Sequence, residues 1–73
     1  MKDTDNKSFE LSAREIDIVK LIEKGLSDKE IARQLNVDLS SVKNHVHQIL
    51  DKFRVNRRIM AAAKYRTLSD RET

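Results

Sequence analysis

The chain has 73 residues, 37% of them charged with a net charge of +3, and it contains no cysteine, no proline and one glycine. That length allows one small domain in which each apolar position counts, and the missing cysteines exclude a disulfide framework and a cysteine-based metal site. No apolar run approaches a membrane-spanning length and residues 1–8 lack the apolar stretch of a secretion signal, so no membrane partner and a cytoplasmic location are expected.

The periodicity is helical from end to end, which predicts an all-α fold of four helices. Residues 1–10 read as a flexible tail. Ser12-x-x-Glu15 is a capping box, in which hydroxyl and carboxylate each take a free backbone N–H of a first helical turn. Leu11 ahead of it can staple onto that turn. Ile18, Val19, Leu21 and Ile22 follow as one buried face, with Ile16 lying off it. Gly25 ends the first helix, because glycine enters the left-handed region without a Cβ clash.

Ser27-x-x-Glu30 repeats the capping box and opens a second, short helix carrying Ile31, Ala32 and Leu35. Asn36 tolerates positive φ and can reverse the chain. Val37 is placed to plug the angle between two helices, and Asp38 to cap the next. The third helix is expected from about Leu39 to Phe53, roughly 22 Å long. The fourth is expected from about Arg57 to Leu68, with Asn56 as its N-cap. The domain is thus drawn over 11–68, with 69–73 as a frayed tail.

Charge is unevenly spread. Met1–Val37 carries a net −1 and Asp38–Thr73 a net +4; between Lys43 and Arg66 there are seven cations and one anion, Asp51. A positive second half suggests a polyanionic partner. The third helix says which kind. With Val42 at zero and about 100° per residue, Val46, Ile49, Leu50 and Phe53 share its angular sector, and Ser40, Lys43, Asn44, His47 and Gln48 face away. Those side chains can fork, donate or accept, as base edges and phosphates require. A short helix, a tight turn and a longer helix with a free polar side make a helix-turn-helix, whose second helix fits the major groove of B-DNA.

Leu11-Ser-Ala-Arg-Glu15, Gly25-Leu-Ser-Asp-Lys-Glu-Ile-Ala32, Ser41-Val-Lys-Asn-His45, Lys52-Phe53 and the stretch Val55 to Ala61 together carry a resemblance. Over about Leu11–Leu68 the sequence resembles the LuxR-type (FixJ/NarL-like) DNA-binding domain of bacterial transcription regulators. The resemblance implies a four-helix domain with its third helix in the groove and its fourth at a two-fold contact. It places Lys43, Asn44 and His47 at base-facing positions, and Ser41 and His45 in backbone-contacting or supporting roles. Ser27, Lys29, Ser40 and Gln48 join that supporting group. The arginine matching Arg58 braces the fold in the family. RNA polymerase is a further candidate partner. Asp28 departs from the asparagine common in the family, and its carboxylate would repel a phosphate. Ile16, Ile59 and Met60 are apolar where relatives are often polar.

In the fourth helix, Ala61, Ala62, Tyr65 and Leu68 make a core stripe, and Ile59, Met60 and Ala63 make a second one. A helix apolar on two sides has two partners, which predicts a self-contact through the second stripe, formed on DNA. Arg54, Arg57 and Arg58 cluster at the junction of the third and fourth helices; with Arg58 matching the bracing arginine, Arg54 and Arg57 are the phosphate candidates. No enzyme is expected: there is no glycine-rich phosphate loop, no cleft-sized core and no nucleophile–base pair. His45 and His47 lie about 200° apart on a helix and cannot share an ion, so no metal or other cofactor is expected. The alternative from another class is a small helical protein–protein adaptor that works through Ile59, Met60 and Ala63 and leaves Lys43 and Asn44 idle.

Overall fold

A computed structural model describes residues 11–71 of the chain. It places four helices there, α1 (Ala13–Glu23), α2 (Asp28–Leu35), α3 (Leu39–Phe53) and α4 (Arg58–Arg71), with no strand among the described residues. The tail expected over 1–10, and residues 72–73 of the C-terminal one, lie outside that range. α4 runs three residues past its expected end at Leu68, so residues 69–71 are helical rather than frayed.

Both capping boxes form in full. The Ser12 hydroxyl accepts from the Glu15 N–H at 3.2 Å while the Glu15 carboxylate accepts from the Ser12 N–H at 3.0 Å. Ser27 and Glu30 do the same at 3.2 and 2.8 Å. Each cap is worth about 1 kcal/mol, a useful amount for helices of 11 and 8 residues. Asp38 takes the N-cap position of α3 in extended conformation, but its side chain makes no capping hydrogen bond.

The first three helices stop by one device. A residue at positive φ follows each last turn: Gly25 at 90°, Asn36 at 59° and Arg54 at 59°. The next residue then donates its N–H back to the carbonyl five residues earlier: Leu26 to Leu21, Val37 to Ala32 and Val55 to Leu50, at 3.1, 3.0 and 3.0 Å. This is the Schellman arrangement, and its apolar closing residue packs inward each time. Val37 thus fills the inter-helix angle. Arg54 is the exception in residue type, because the left-handed region costs an ordinary residue about 1–2 kcal/mol.

α4 begins one residue later than expected. The Arg57 carbonyl accepts from the Met60 and Ala61 N–H groups at 3.0 and 3.1 Å, so Arg57, not Asn56, holds the cap position. Val55 is committed to the α3 stop, and Asn56 and Arg57 are then needed to redirect the chain.

The core is continuous across all four helices. It comprises Ile18, Val19, Leu21 and Ile22 from α1, Ile31 and Ala32 from α2, Val42, Val46, Ile49 and Phe53 from α3, and Ala61 and Ala62 from α4. Tyr65 and Leu68 pack against it half-buried, and Ile16 is half-buried at the edge of α1. α1 touches each of the other three helices, whereas the backbones of α2 and α4 do not approach one another.

Among the described residues, one charged side chain is buried. Glu15 is 2% exposed, and its Oε1 also accepts from Lys52 Nζ at 2.8 Å, tying the start of α1 to the end of α3. Burial works to raise its pKa. The Lys52 hydrogen bond, the Ser12 N–H, and the charges of Lys52 and His45 more than offset it and hold the carboxyl below the usual glutamate range. A depressed carboxylate stabilises the fold above its unfolded-state pKa, and the benefit is lost as pH falls through the lowered value. The urea midpoint is therefore expected to be level from pH 7 to pH 5 and to drop below the ordinary carboxylate range. In Glu15→Gln that acid limb should flatten; an unchanged limb would place the acid sensitivity elsewhere.

Candidate nucleic-acid interface

α3 has two sides with different chemistry. Val42, Val46, Ile49 and Phe53 are buried, and Leu50 is half-buried beside them. Ser40, Lys43, Asn44, His47 and Gln48 are all exposed. The separation follows from the 3.6-residue period, since the apolar positions occupy about a quarter turn and the polar ones fall opposite. No acidic residue interrupts this face between Asp38 and Asp51.

Ser41 and His45 stand at the edge of the buried stripe, half-buried. His45 Nδ1 lies 2.9 Å from the Ser41 carbonyl oxygen. A carbonyl only accepts, so Nδ1 carries the proton and Nε2 is left for another partner. The contact holds the imidazole against the preceding turn of its own helix, beside Asn44.

The other expected site residues divide by what already engages them. Ser27 is exposed, but its hydroxyl caps α2. Lys29 beside it is exposed. Arg58 is half-buried: its Nη1 donates to Asp28 Oδ1 at 2.6 Å and its Nη2 to the Leu26 carbonyl at 3.1 Å. This fork bridges two helices whose backbones do not meet. Arg58 is therefore a brace, and it also pairs with the Asp28 carboxylate at the start of α2. Arg54 and Arg57 are exposed in the α3–α4 turn. Ile59 and Met60 are 70% and 48% exposed, and Ala63 next to them is exposed as well.

Three contacts that organise this surface were not legible as pairs. Lys52 to Glu15 spans 37 positions, and Arg58 to Asp28 spans 30. Lys64 Nζ donates to the Phe53 carbonyl at 3.1 Å, placing a cation at the negative end of the α3 dipole. The available signal was an odd residue, Asp28, matched to an arginine already expected to brace the fold.

The family model for bacterial regulatory proteins, luxR family, matches residues 10–65. The chain is 44% identical over 59 residues to the nitrate/nitrite response regulator protein NarL of Escherichia coli strain K12, covering 81% of this chain and 27% of that protein. It is 40% identical over 57 residues to the transcriptional regulatory protein LnrK of Bacillus subtilis strain 168, covering 78% and 26%. To the transcriptional regulatory protein DesR of the same strain it is 33% identical over 64 residues, covering 88% and 32%. The chain thus spans about a quarter to a third of the length of these relatives. All four helices, both capping boxes and the turn from α2 into α3 fall wholly or largely within the matched residues, and the chain belongs to the luxR family of bacterial regulatory proteins.

Proposed function

We propose that this chain binds double-stranded DNA sequence-specifically by setting α3 in the major groove, and that it regulates transcription in the cytoplasm with RNA polymerase as a candidate partner. The observation that carries this reading is the exposure of Lys43, Asn44 and His47 on a helix whose opposite side is buried. These three read base edges. Ser40, Ser41, His45, Gln48, Ser27, Lys29, Arg54 and Arg57 contact or support the backbone, and Arg58 supports through its brace. Two copies pair about a two-fold axis through Ile59, Met60 and Ala63, which matches an imperfect palindrome with half-sites one DNA turn apart.

The test is selection of bound duplexes from a random DNA pool, followed by Asn44→Ala on the selected site. Loss of a base-reading pair should weaken specific binding by about 1–3 kcal/mol and relax the preference at one position. The exposed Ile59–Met60 patch is also what an adaptor would use, and an adaptor would not respond to Asn44→Ala. Equal affinity of variant and parent for the selected duplex would overturn the DNA-reading role of α3.

A further inference from the structure

The cations from Lys43 to Arg66 are not equivalent. Lys52 is held by Glu15, Arg58 by Asp28, Arg66 by Glu23 at 3.6 Å, and Lys64 by the Phe53 carbonyl. Three exposed cations of this stretch, Lys43, Arg54 and Arg57, have no hydrogen-bonding or ion-pair partner of their side chains among the described residues. Two of the three sit in the same four-residue turn, Arg54 to Arg57. Moreover, Arg54 is held at φ 59° and ψ 45°, a conformation that glycine or asparagine adopts with less strain. Glycine and asparagine fill the two equivalent positions of this chain, Gly25 and Asn36.

A strained residue with a free charged side chain is kept for what the side chain does, or for the helix dipole. The dipole explanation is weakened by Lys64, which already brings its ammonium to the last carbonyl of α3. We infer that Arg54, with Arg57, is a phosphate clamp at the trailing end of the recognition helix, one that supplies affinity without sequence preference while lowering the stability of the fold. Arg54 lies about 10 Å along the helix axis from His47, at 1.5 Å per residue. The major groove is about 12 Å wide, so a helix whose leading half reads bases brings its trailing end to the phosphates at the groove edge. The inference rests on the DNA-reading role proposed for α3.

The experiment compares parent, Arg54→Gly, Arg54→Lys and Asn44→Ala, each as the whole chain. The probes are a duplex selected by the chain from a random pool and a scrambled duplex of equal length. Arg54→Gly should melt higher, by several degrees up to about 4–8 °C. It should bind both duplexes more weakly by a similar factor, about tenfold at 100 mM salt for each phosphate it no longer neutralises, with the log–log salt slope shallower by about 0.9 per phosphate. Arg54→Lys should keep most of the slope. Asn44→Ala should weaken only the selected duplex. An unchanged salt slope in Arg54→Gly, or a lower melting temperature, overturns the clamp even where Asn44→Ala confirms base reading. If the parent binds neither duplex in dilute buffer, the DNA reading and the clamp fall together.

Discussion

Replacing Phe53 by alanine is expected to leave a chain that is largely unfolded at 37 °C. Phe53 is 1% exposed and sits at the last turn of α3, where α3 must stop and α4 must begin. Truncating a buried phenylalanine costs about 3–5 kcal/mol, because the ring's packing disappears and the cavity collapses only in part. A domain of this size has a total stability on the order of 4–11 kcal/mol, at about 0.05–0.15 kcal/mol per residue. The substitution thus takes about a quarter of the stability at the least, and most or all of it at the low end. The Phe53 carbonyl receives the Lys64 ammonium, and Val55 two residues on closes the helix stop against Leu50. Far-ultraviolet circular dichroism through a thermal scan checks this: a melting temperature within a few degrees of the parent would show that Phe53 is not the keystone of the α3–α4 junction. Leu50→Ala, at a half-buried position of the same helix, should cost visibly less.

What could be read from the sequence was local, and the reason is physical. A capping box spans three residues, a helical stripe repeats every three to four, and an asparagine at a helix end signals positive φ by its own side chain. Ser12, Ser27, Asn36 and the Val42–Phe53 stripe are all of this kind, and each stands where its neighbours required. The polar side of α3 followed from the same angular arithmetic. Arg54 stood out as a cation, but its left-handed conformation was not legible, because nothing in an arginine announces such a turn; the closing bond from Val55 to Leu50 reveals it. The buried carboxylate was missed for a different reason. Glu15 in a capping box is normally solvated, and its burial depends on Lys52 arriving from the far end of α3. Asp28 drew notice as a misfit, and its match, Arg58, comes from 30 positions further along, across two helices whose backbones do not approach one another. The second stripe of α4, with Ile59 and Met60, was legible from the same angular arithmetic, because it falls on another side of the helix from Ala61, Ala62, Tyr65 and Leu68.

The affinity for DNA is expected to fall about a thousandfold between 50 and 200 mM salt. In the proposed pair, each protomer offers three exposed cations of the Lys43–Arg66 stretch that have no internal partner among the described residues, Lys43, Arg54 and Arg57. A pair of protomers then displaces about six counterions, and at about 0.9 per phosphate contact the log–log slope is roughly −5. The internally engaged cations set the upper limit. Lys52, Arg58 and Lys64 would have to abandon Glu15, Asp28 and the Phe53 carbonyl to reach a phosphate, so they should not steepen the slope. Ile59→Asp turns the same measurement into a test of pairing. Ile59 is 70% exposed in the single chain, so an aspartate there leaves the core untouched while placing like charges across the two-fold contact. That variant should retain the parent's melting temperature, bind a half-site as a single copy, and show a slope near about −2.7, half that of the pair. A variant slope equal to the parent's would mean that Ile59 lies outside the contact, and a parent slope shallower than about −2 would remove the electrostatic basis for DNA binding altogether.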